Sequence, residues 1–133
     1  MTLFRLMLTA ALAAGLAGCE SAPVREVKAQ ISSLFQANEG DADLKAGIGA
    51  YENGSYNESA RRLQSALDAG LGDSNQVRAH KYLAFIHCQA GRERQCRDEF
   101  RAALDIDPSF ELAASEAGHP IWGPVFRSEK ARR

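Results

Sequence analysis

The clearest hydrophobic pattern in the chain lies in residues 77–110, where apolar positions recur with the period of an α-helix on both sides of Gly91. Glycine adopts the positive φ that ends a helix without Cβ strain, and the ring of Pro108 cannot continue a helix. The pattern therefore predicts two amphipathic helices that fold back on each other. The positions expected to face the opposite helix are Leu83, Ala84, His87, Cys96, Phe100, Ala103 and Leu104.

This hairpin resembles the tetratricopeptide repeat, a unit of about 34 residues with a large and a small residue, a turn glycine, an aromatic residue and a closing proline at fixed positions. A weaker copy of the same pattern spans about residues 40–73, with Gly47 at the small position and Gly54 at the turn. The resemblance predicts an all-α fold with two helix hairpins, at about 40–73 and 77–110. Because each hairpin buries only one face by itself, further helices are expected at both ends.

A second helical stripe precedes the repeats, within residues 19–39. Such an amphipathic helix can cap the first repeat, or it can lie on a membrane surface. Residues 38–41 are polar and include Gly40, so they are expected to separate this capping helix from the first repeat. The stripe consists of Val24, Val27, Ile31, Leu34 and Phe35.

The C-terminal segment, residues 111–133, changes character at Gly118. A short helix is expected before this glycine, whereas two prolines and two glycines in residues 118–127 predict an extended segment. That segment either covers the open end of the last hairpin or stays exposed as a docking strip, and residues 128–133 are expected to form a frayed basic tail. The apolar residues of the strip are Ile121, Trp122, Val125 and Phe126.

Residues 1–18 combine one basic residue with an apolar run that is too short to span a bilayer, which predicts a signal peptide. Small residues lead directly into Cys19, an arrangement that resembles the bacterial lipobox. The resemblance implies that Cys19 carries lipid, including palmitate, and becomes the mature N-terminus. An ordinary secretory signal with an incidental cysteine is the alternative. Glu20 in place of aspartate favours, in lipoprotein families, the outer over the inner membrane, with the protein facing the periplasm.

The charges of the chain are nearly balanced, with 16 Lys plus Arg against 17 Asp plus Glu. Nucleic-acid binding requires a basic stripe that releases phosphate counterions, so this balance argues against that class of partner. A chain of 133 residues fits one compact domain.

Two cysteines of the second repeat, Cys88 and Cys96, lie four residues on either side of Arg92. This symmetry places them across from each other on antiparallel helices. In the oxidising compartment that a signal peptide implies, facing thiols tend to pair, so the sequence predicts a disulfide. The alternative is a pair of buried thiols, because small positions in helix packing accept cysteine readily.

A tetrahedral zinc site would need His80 and His87 together with the two cysteines. The spacing does not fit, because His80 and His87 lie two helical turns apart and His87 and Cys88 point about 100° apart. The chain contains no nucleophile elbow, phosphate loop or HExxH motif. We therefore expect no metal or cofactor besides the lipid, and an enzyme or metal-binding protein that uses Cys and His is the second alternative.

In tetratricopeptide proteins the first helices of successive repeats line a concave groove that binds a peptide or helix. The resemblance implies such a partner-binding groove here and no small-molecule substrate. Arg78 and Lys81, one turn apart, are placed to hold an acidic side chain or a chain terminus. The groove residues are expected to be Leu44, Ile48, Tyr51, Arg78, Lys81 and Phe85.

The lipobox, the short repeat array, the paired cysteines and the C-terminal stretch together resemble the TssQ-type lipoproteins associated with type VI secretion. The resemblance implies a membrane-anchored accessory protein of the cell envelope that binds a secretion component and has no enzymatic step. A pilotin-like or outer-membrane assembly lipoprotein is the alternative. The distinctive C-terminal residues are Glu116-Ala117-Gly118-His119-Pro120 and Trp122-Gly123-Pro124.

Overall fold

The computed structural model describes the backbone of residues 22–133 and the side chains of residues 27–32 and 39–133. The predicted signal peptide and Cys19 lie outside the described residues. This part of the chain folds into helices and contains no strand. The helices are α1 Ala22–Glu52, α2 Tyr56–Ala69, α3 Asp73–Gln89, α4 Glu93–Ile106, α5 Ala114–Ala117 and α6 Trp122–Lys130.

The helices are arranged as two stacked hairpins and a C-terminal cap. The most extensive packing joins α1 to α2 and α3 to α4, and the hairpins stack mainly through α2 and α3. Helix α6 packs on α4 and, less extensively, on α3, at the far end of the stack. The predicted all-α fold with helix hairpins is confirmed, and α3 begins at Asp73, earlier than the predicted unit 77–110.

Glycines set both hairpin turns and one close helix contact. Gly54 and Gly91 follow α1 and α3 with φ of 76° and 70°, as the turn positions of the predicted repeats require. Gly47 lies in α1, where an added Cβ would be 2.9 Å from the side chain of Leu63 in α2. Only a residue without a side chain allows the two helices of the first hairpin to approach this closely.

The predicted break at residues 38–41 is wrong, because α1 is continuous from Ala22 to Glu52. Gly40 lies inside the helix and against the end of α2, where an added Cβ would be 3.0 Å from the carbonyl oxygen of Gly70. Glycine weakens a helix by about 1 kcal/mol relative to alanine, and here close packing offsets that cost. The predicted capping helix is not a separate element but the first half of α1, and its described stripe residues Val27 and Ile31 are exposed instead of buried against the first hairpin.

The predicted extended segment at 118–127 is also wrong, since α6 begins at Trp122. Pro124 occupies the first turn of α6, where a backbone N–H has no intrahelical acceptor and its absence costs nothing. Gly123 fits against α5, because a Cβ there would be 2.5 Å from the carbonyl oxygen of Ala117. The glycines and prolines thus begin a helix instead of preventing one.

The predicted frayed tail at 128–133 is wrong because it is tied to the second hairpin. Glu129 is only 2% exposed and accepts hydrogen bonds from Arg97 at 3.0 Å and Arg101 at 3.1 Å. Lys130 donates a hydrogen bond to the carbonyl oxygen of Phe110 at 2.8 Å. The composition of residues 128–133 does not indicate that their one acidic residue, Glu129, is buried.

Buried side chains form two adjoining clusters. One lies between the two hairpins, and the other lies between the second hairpin and the cap, so the cap is part of the core. The first contains Leu44, Leu63, Ala66, Leu71, Ala79, Leu83 and Ile86; the second contains Ala84, Phe85, Cys88, Cys96, Phe100, Leu104, Leu112, Trp122 and Phe126.

Candidate partner-binding groove

Helices α1 and α3 line an open depression of about 500 Å³ on the face formed by the first helices of the two hairpins. Three predicted groove residues, Leu44, Ile48 and Arg78, line it together. Leu44 is buried, Ile48 is half-buried and Arg78 is exposed, so the depression has an apolar floor and a charged rim. Its full lining is Asp41, Leu44, Lys45, Ile48, Gly49, Glu52, Asn75 and Arg78.

A polar chain across the depression joins α1 to α3. The amide of Asn75 donates a hydrogen bond to the Asp41 carboxylate at 2.8 Å, and its oxygen accepts one from Arg78 at 3.3 Å. Asn75 thereby orients Arg78 without neutralising its charge. Lys45 and Glu52 are exposed, and their side chains make no hydrogen bond or ion pair within residues 39–133. The rim therefore offers charged groups that are available to a partner.

The second half of the predicted groove is covered by the chain itself. Lys81 forms an ion pair with Glu116 at 2.7 Å, and the ring of Phe85 stacks on Trp122 with a centroid distance of 4.3 Å. The two predicted cations therefore differ, because Arg78 faces the open depression and Lys81 binds the C-terminal segment. The structure does not bring Lys81 and Phe85 to a free surface.

Tyr51 lies at the boundary between the open and the covered half. Its ring is 5.1 Å from that of Tyr82 and 6.2 Å from that of Phe85, and its hydroxyl accepts a hydrogen bond from Gln89 at 3.3 Å. Burial, together with the neighbouring Tyr56, raises the pKa of Tyr51 to about 12. The phenol is thus a neutral group packed among aromatic rings, and the predicted groove residue Tyr51 does not line the depression.

Of the two predictions for the apolar strip, the structure supports packing against the repeat. Trp122 and Phe126 are buried, Val125 is half-buried, and only Ile121 is largely exposed. The indole N–H of Trp122 donates a hydrogen bond to the carbonyl oxygen of Glu116 at 2.9 Å. The strip is an internal cap and not a docking surface.

Glu116 connects that cap to the groove. Its carboxylate accepts hydrogen bonds from Lys81 at 2.7 Å and from the backbone N–H of Ala113 at 3.0 Å. His119 stacks on Trp122 with a centroid distance of 3.3 Å. The C-terminal residues Glu116, His119 and Trp122 therefore build the contact that covers the second half of the predicted groove.

The cysteines of the second hairpin are joined. Cys88 and Cys96 form a disulfide with a Cα–Cα distance of 5.1 Å, within the range that a disulfide spans without backbone movement. Both are buried, between α3 and α4. The bond closes the hairpin next to the turn at Gly91.

The two histidines considered as zinc ligands have separate structural partners. His80 lies 2.7 Å from the Glu99 carboxylate, and Nδ1 of His87 accepts a hydrogen bond from Arg92 at 2.9 Å. Burial, with the Arg92 guanidinium beside it, holds the pKa of His87 below its ordinary value. Within the described residues, no three His, Cys, Asp or Glu side chains come together as a metal site.

Five residues of the depression were not predicted as groove residues, and one of them, Gly49, presents no side chain. Asp41, Lys45 and Glu52 share the face of α1 that presents Leu44 and Ile48, since they lie one, three or four positions from these residues in the sequence. That spacing could have identified all three. Asn75 could not be found in this way, because it was expected to precede the second repeat.

No protein-family model, curated protein or solved structure matches this chain. From Ala22 onward, none of the helices is long and apolar enough to cross a membrane.

Proposed function

We propose that this protein is a membrane-anchored, tetratricopeptide-like interaction module that binds a protein partner with the open half of its groove. The observation on which this depends is the depression between α1 and α3, with its apolar floor and charged rim. Protein-binding sites commonly combine a few apolar anchors with a polar rim that sets orientation. The covered half of the same face limits the partner to the first hairpin and the start of α3.

The two cations of the rim indicate one charged group of the partner, while Glu52 on the same rim, unpaired among residues 39–133, would face a different part of it. Lys45 has no acidic partner among the described residues, and Arg78 is bound only to the uncharged amide of Asn75. An acidic side chain or a chain terminus beside an apolar residue would place its charge at these cations and its apolar group on Ile48. Complementary charge of this kind mainly increases the association rate and the specificity.

The proposed anchor is lipid on Cys19, three residues before the first residue of α1. Several acyl chains bind a membrane stably, whereas one binds only marginally. In this arrangement the lipid holds the groove at the periplasmic side of the envelope, and the outer membrane is the proposed location. The assignment to type VI secretion rests on the resemblance of the C-terminal motif.

The proposal includes no enzymatic step and no cofactor. The cysteines and histidines weighed above for a reaction are engaged in contacts within the second hairpin: the cysteines with each other, His80 with Glu99, and His87 with Arg92. These contacts support a structural role for each of them.

Co-purification from detergent-solubilised envelopes of cells expressing type VI secretion genes tests the partner. We expect Arg78→Glu to reduce the recovered type VI component several-fold, since the acidic partner would meet a like charge. The matched control is Arg61→Glu on α2, whose guanidinium is exposed and pairs only with Glu58 one turn away. Equal recovery with both variants would contradict the groove, and a secretin or an outer-membrane barrel as the Arg78-dependent partner would favour a pilotin-like protein.

Mass spectrometry of the mature chain tests the anchor. The proposal predicts acyl groups on Cys19 and release of the Cys19→Ser variant from the membrane. A mature chain that begins elsewhere, or an unmodified Cys19, would contradict it.

A further inference from the structure

The first half of α1 presents apolar side chains that the described parts of the chain do not cover. Val27 and Ile31, about one helical turn apart, are 51% and 47% exposed. Gly40 lies against the end of α2 at Gly70, so residues 22–39 extend past the hairpin. We call these residues the arm; at 1.5 Å per residue it is roughly 27 Å long.

The spacing of four apolar residues in the arm matches the seam of a short coiled coil. Ile31 follows Val27 by four residues, and the sequence continues the spacing with Val24 three residues before and Leu34 three residues after. Alternating steps of three and four are the heptad pattern of helices that wrap around each other. Asn38, seven residues after Ile31, occupies the next seam position, where asparagine favours two strands in register.

A lipid bilayer fits this apolar face less well than a second helix does. Helices that lie in a membrane surface have a strongly charged polar face rich in lysine and arginine. The arm has only Arg25 and Lys28, with Glu26 between them.

We infer that the arm pairs with the arm of a second copy of this chain as a two-stranded parallel coiled coil. The parallel direction rests on the proposed anchor at Cys19, because lipid on each copy places both arm N-termini at the same membrane. Two heptads give a weak coiled coil in solution. Confinement of both copies to one membrane raises their effective concentration and favours the pair.

Cysteine cross-linking of the full-length lipoprotein in native membranes tests the inference. Ile31→Cys lies in the seam, and the control Ala29→Cys lies on the opposite side of the same exposed helix. Under mild oxidation we expect several-fold more disulfide-linked dimer of this chain from Ile31→Cys than from Ala29→Cys. Adding Val27→Asp to Ile31→Cys should abolish the difference, because charge in the seam opposes pairing.

Three outcomes would overturn the inference. Equal yields at positions 29 and 31 would indicate random collision, and an adduct of Ile31→Cys with another protein would indicate a different partner. The third outcome uses a fluorophore attached to the introduced thiol of Ile31→Cys. If vesicles of phosphatidylethanolamine and phosphatidylglycerol bury this fluorophore while the protein stays monomeric, the apolar face binds lipid. Arg78→Glu separates this inference from the proposed groove, since it should leave the cross-linking unchanged whatever its effect on the partner.

Discussion

The two helix hairpins have the same helix–turn–helix arrangement but are stabilised in different ways. The first is held by close approach of its helices at Gly47 and leaves its groove face open. The second is closed by the disulfide from Cys88 to Cys96 and covered by α6. The first-helix face of a hairpin therefore stays open or becomes part of the core, depending on whether another segment of the chain packs on it.

Two cations one turn apart show the same difference. Arg78 lines the open depression and bonds only to Asn75. Lys81 bonds to Glu116 and lies 4.8 Å from the centroid of the Tyr82 ring. The C-terminal cap thus covers the first-helix face of the second hairpin. A partner is proposed to bind the corresponding face of the first hairpin.

Removing the main side chain of the cap should have the largest effect. Trp122 is 7% exposed and stacks on Phe85, so Trp122→Ala should lower the free energy of unfolding by about 4 kcal/mol. Ile121→Ala is the matched control, because Ile121 is 48% exposed and its loss should cost about 0.5 kcal/mol or less. Urea unfolding followed by circular dichroism measures both; similar losses would mean that the cap is not part of the core.

Loss of the disulfide should have the next largest effect. It closes a loop with a sequence separation of 8, for which chain entropy predicts a stabilisation of about 2 to 3 kcal/mol. Reductant should therefore lower the unfolding midpoint of the wild-type protein and leave that of a Cys88→Ala, Cys96→Ala double variant unchanged. An equal effect of reductant on both proteins would assign it to something other than this bond.

The buried carboxylate of the cap predicts a dependence on acid. Burial raises the pKa of Glu129, but hydrogen bonds from Arg97 and Arg101 outweigh burial and hold the pKa below its ordinary value of 4.5. The stability from this group is therefore complete above pH 4.5 and is lost as the pH falls through the lower, folded-state pKa. Glu129→Gln should cost about 2 kcal/mol at neutral pH and weaken the loss in acid.

Fluorescence of Trp122, the only tryptophan in the chain, reports unfolding of the cap in this experiment. Glu93→Gln is the control, since Glu93 also pairs with Arg97 but is well exposed. Its loss should cost about 0.5 kcal/mol or less. If Glu93→Gln reproduced the effects of Glu129→Gln, the buried ion-pair cluster would not hold α6 in place.

The smallest predicted effects concern the first hairpin, where two glycines of α1 should respond in opposite directions. A Cβ at Gly47 would be 2.9 Å from the buried side chain of Leu63, whereas one at Gly49 would have no atom within 4 Å. Gly47→Ala should destabilise by about 1 to 2 kcal/mol through overpacking, and Gly49→Ala should stabilise by about 0.5 to 1 kcal/mol. Changes of the same sign would show that close approach at Gly47 does not hold the hairpin.

The sequence was most informative where one residue type is required by local geometry. Gly91 and Gly54 marked turns with positive φ, and Cys88 and Cys96 were placed opposite each other by their distance from the turn. The hairpins and the disulfide pair followed from these positions. Half of the predicted groove residues line the depression together, because the periodicity of the first helices determines which residues share a face.

The errors arose where tertiary contacts override a local preference. Gly40 was expected to end a helix but lies inside α1, where the absence of a side chain leaves room for the end of α2. Pro124 was expected to prevent a helix but lies in the first turn of α6, where proline is tolerated. The covered half of the groove was missed because the pairing of Lys81 with Glu116 depends on a fold-back of the C-terminal segment that local spacing does not encode.

Site-specific photo-cross-linking in living cells tests the open groove most directly. A photoreactive amino acid at position 45, on the rim of the depression, should give an adduct with one envelope protein, while the same group at position 61, on exposed α2, should not. Arg78→Glu should weaken this adduct, and Ile121→Ala should leave it unchanged. No adduct at position 45, or equal adducts at positions 45 and 61, would contradict a partner bound in the open half of the groove.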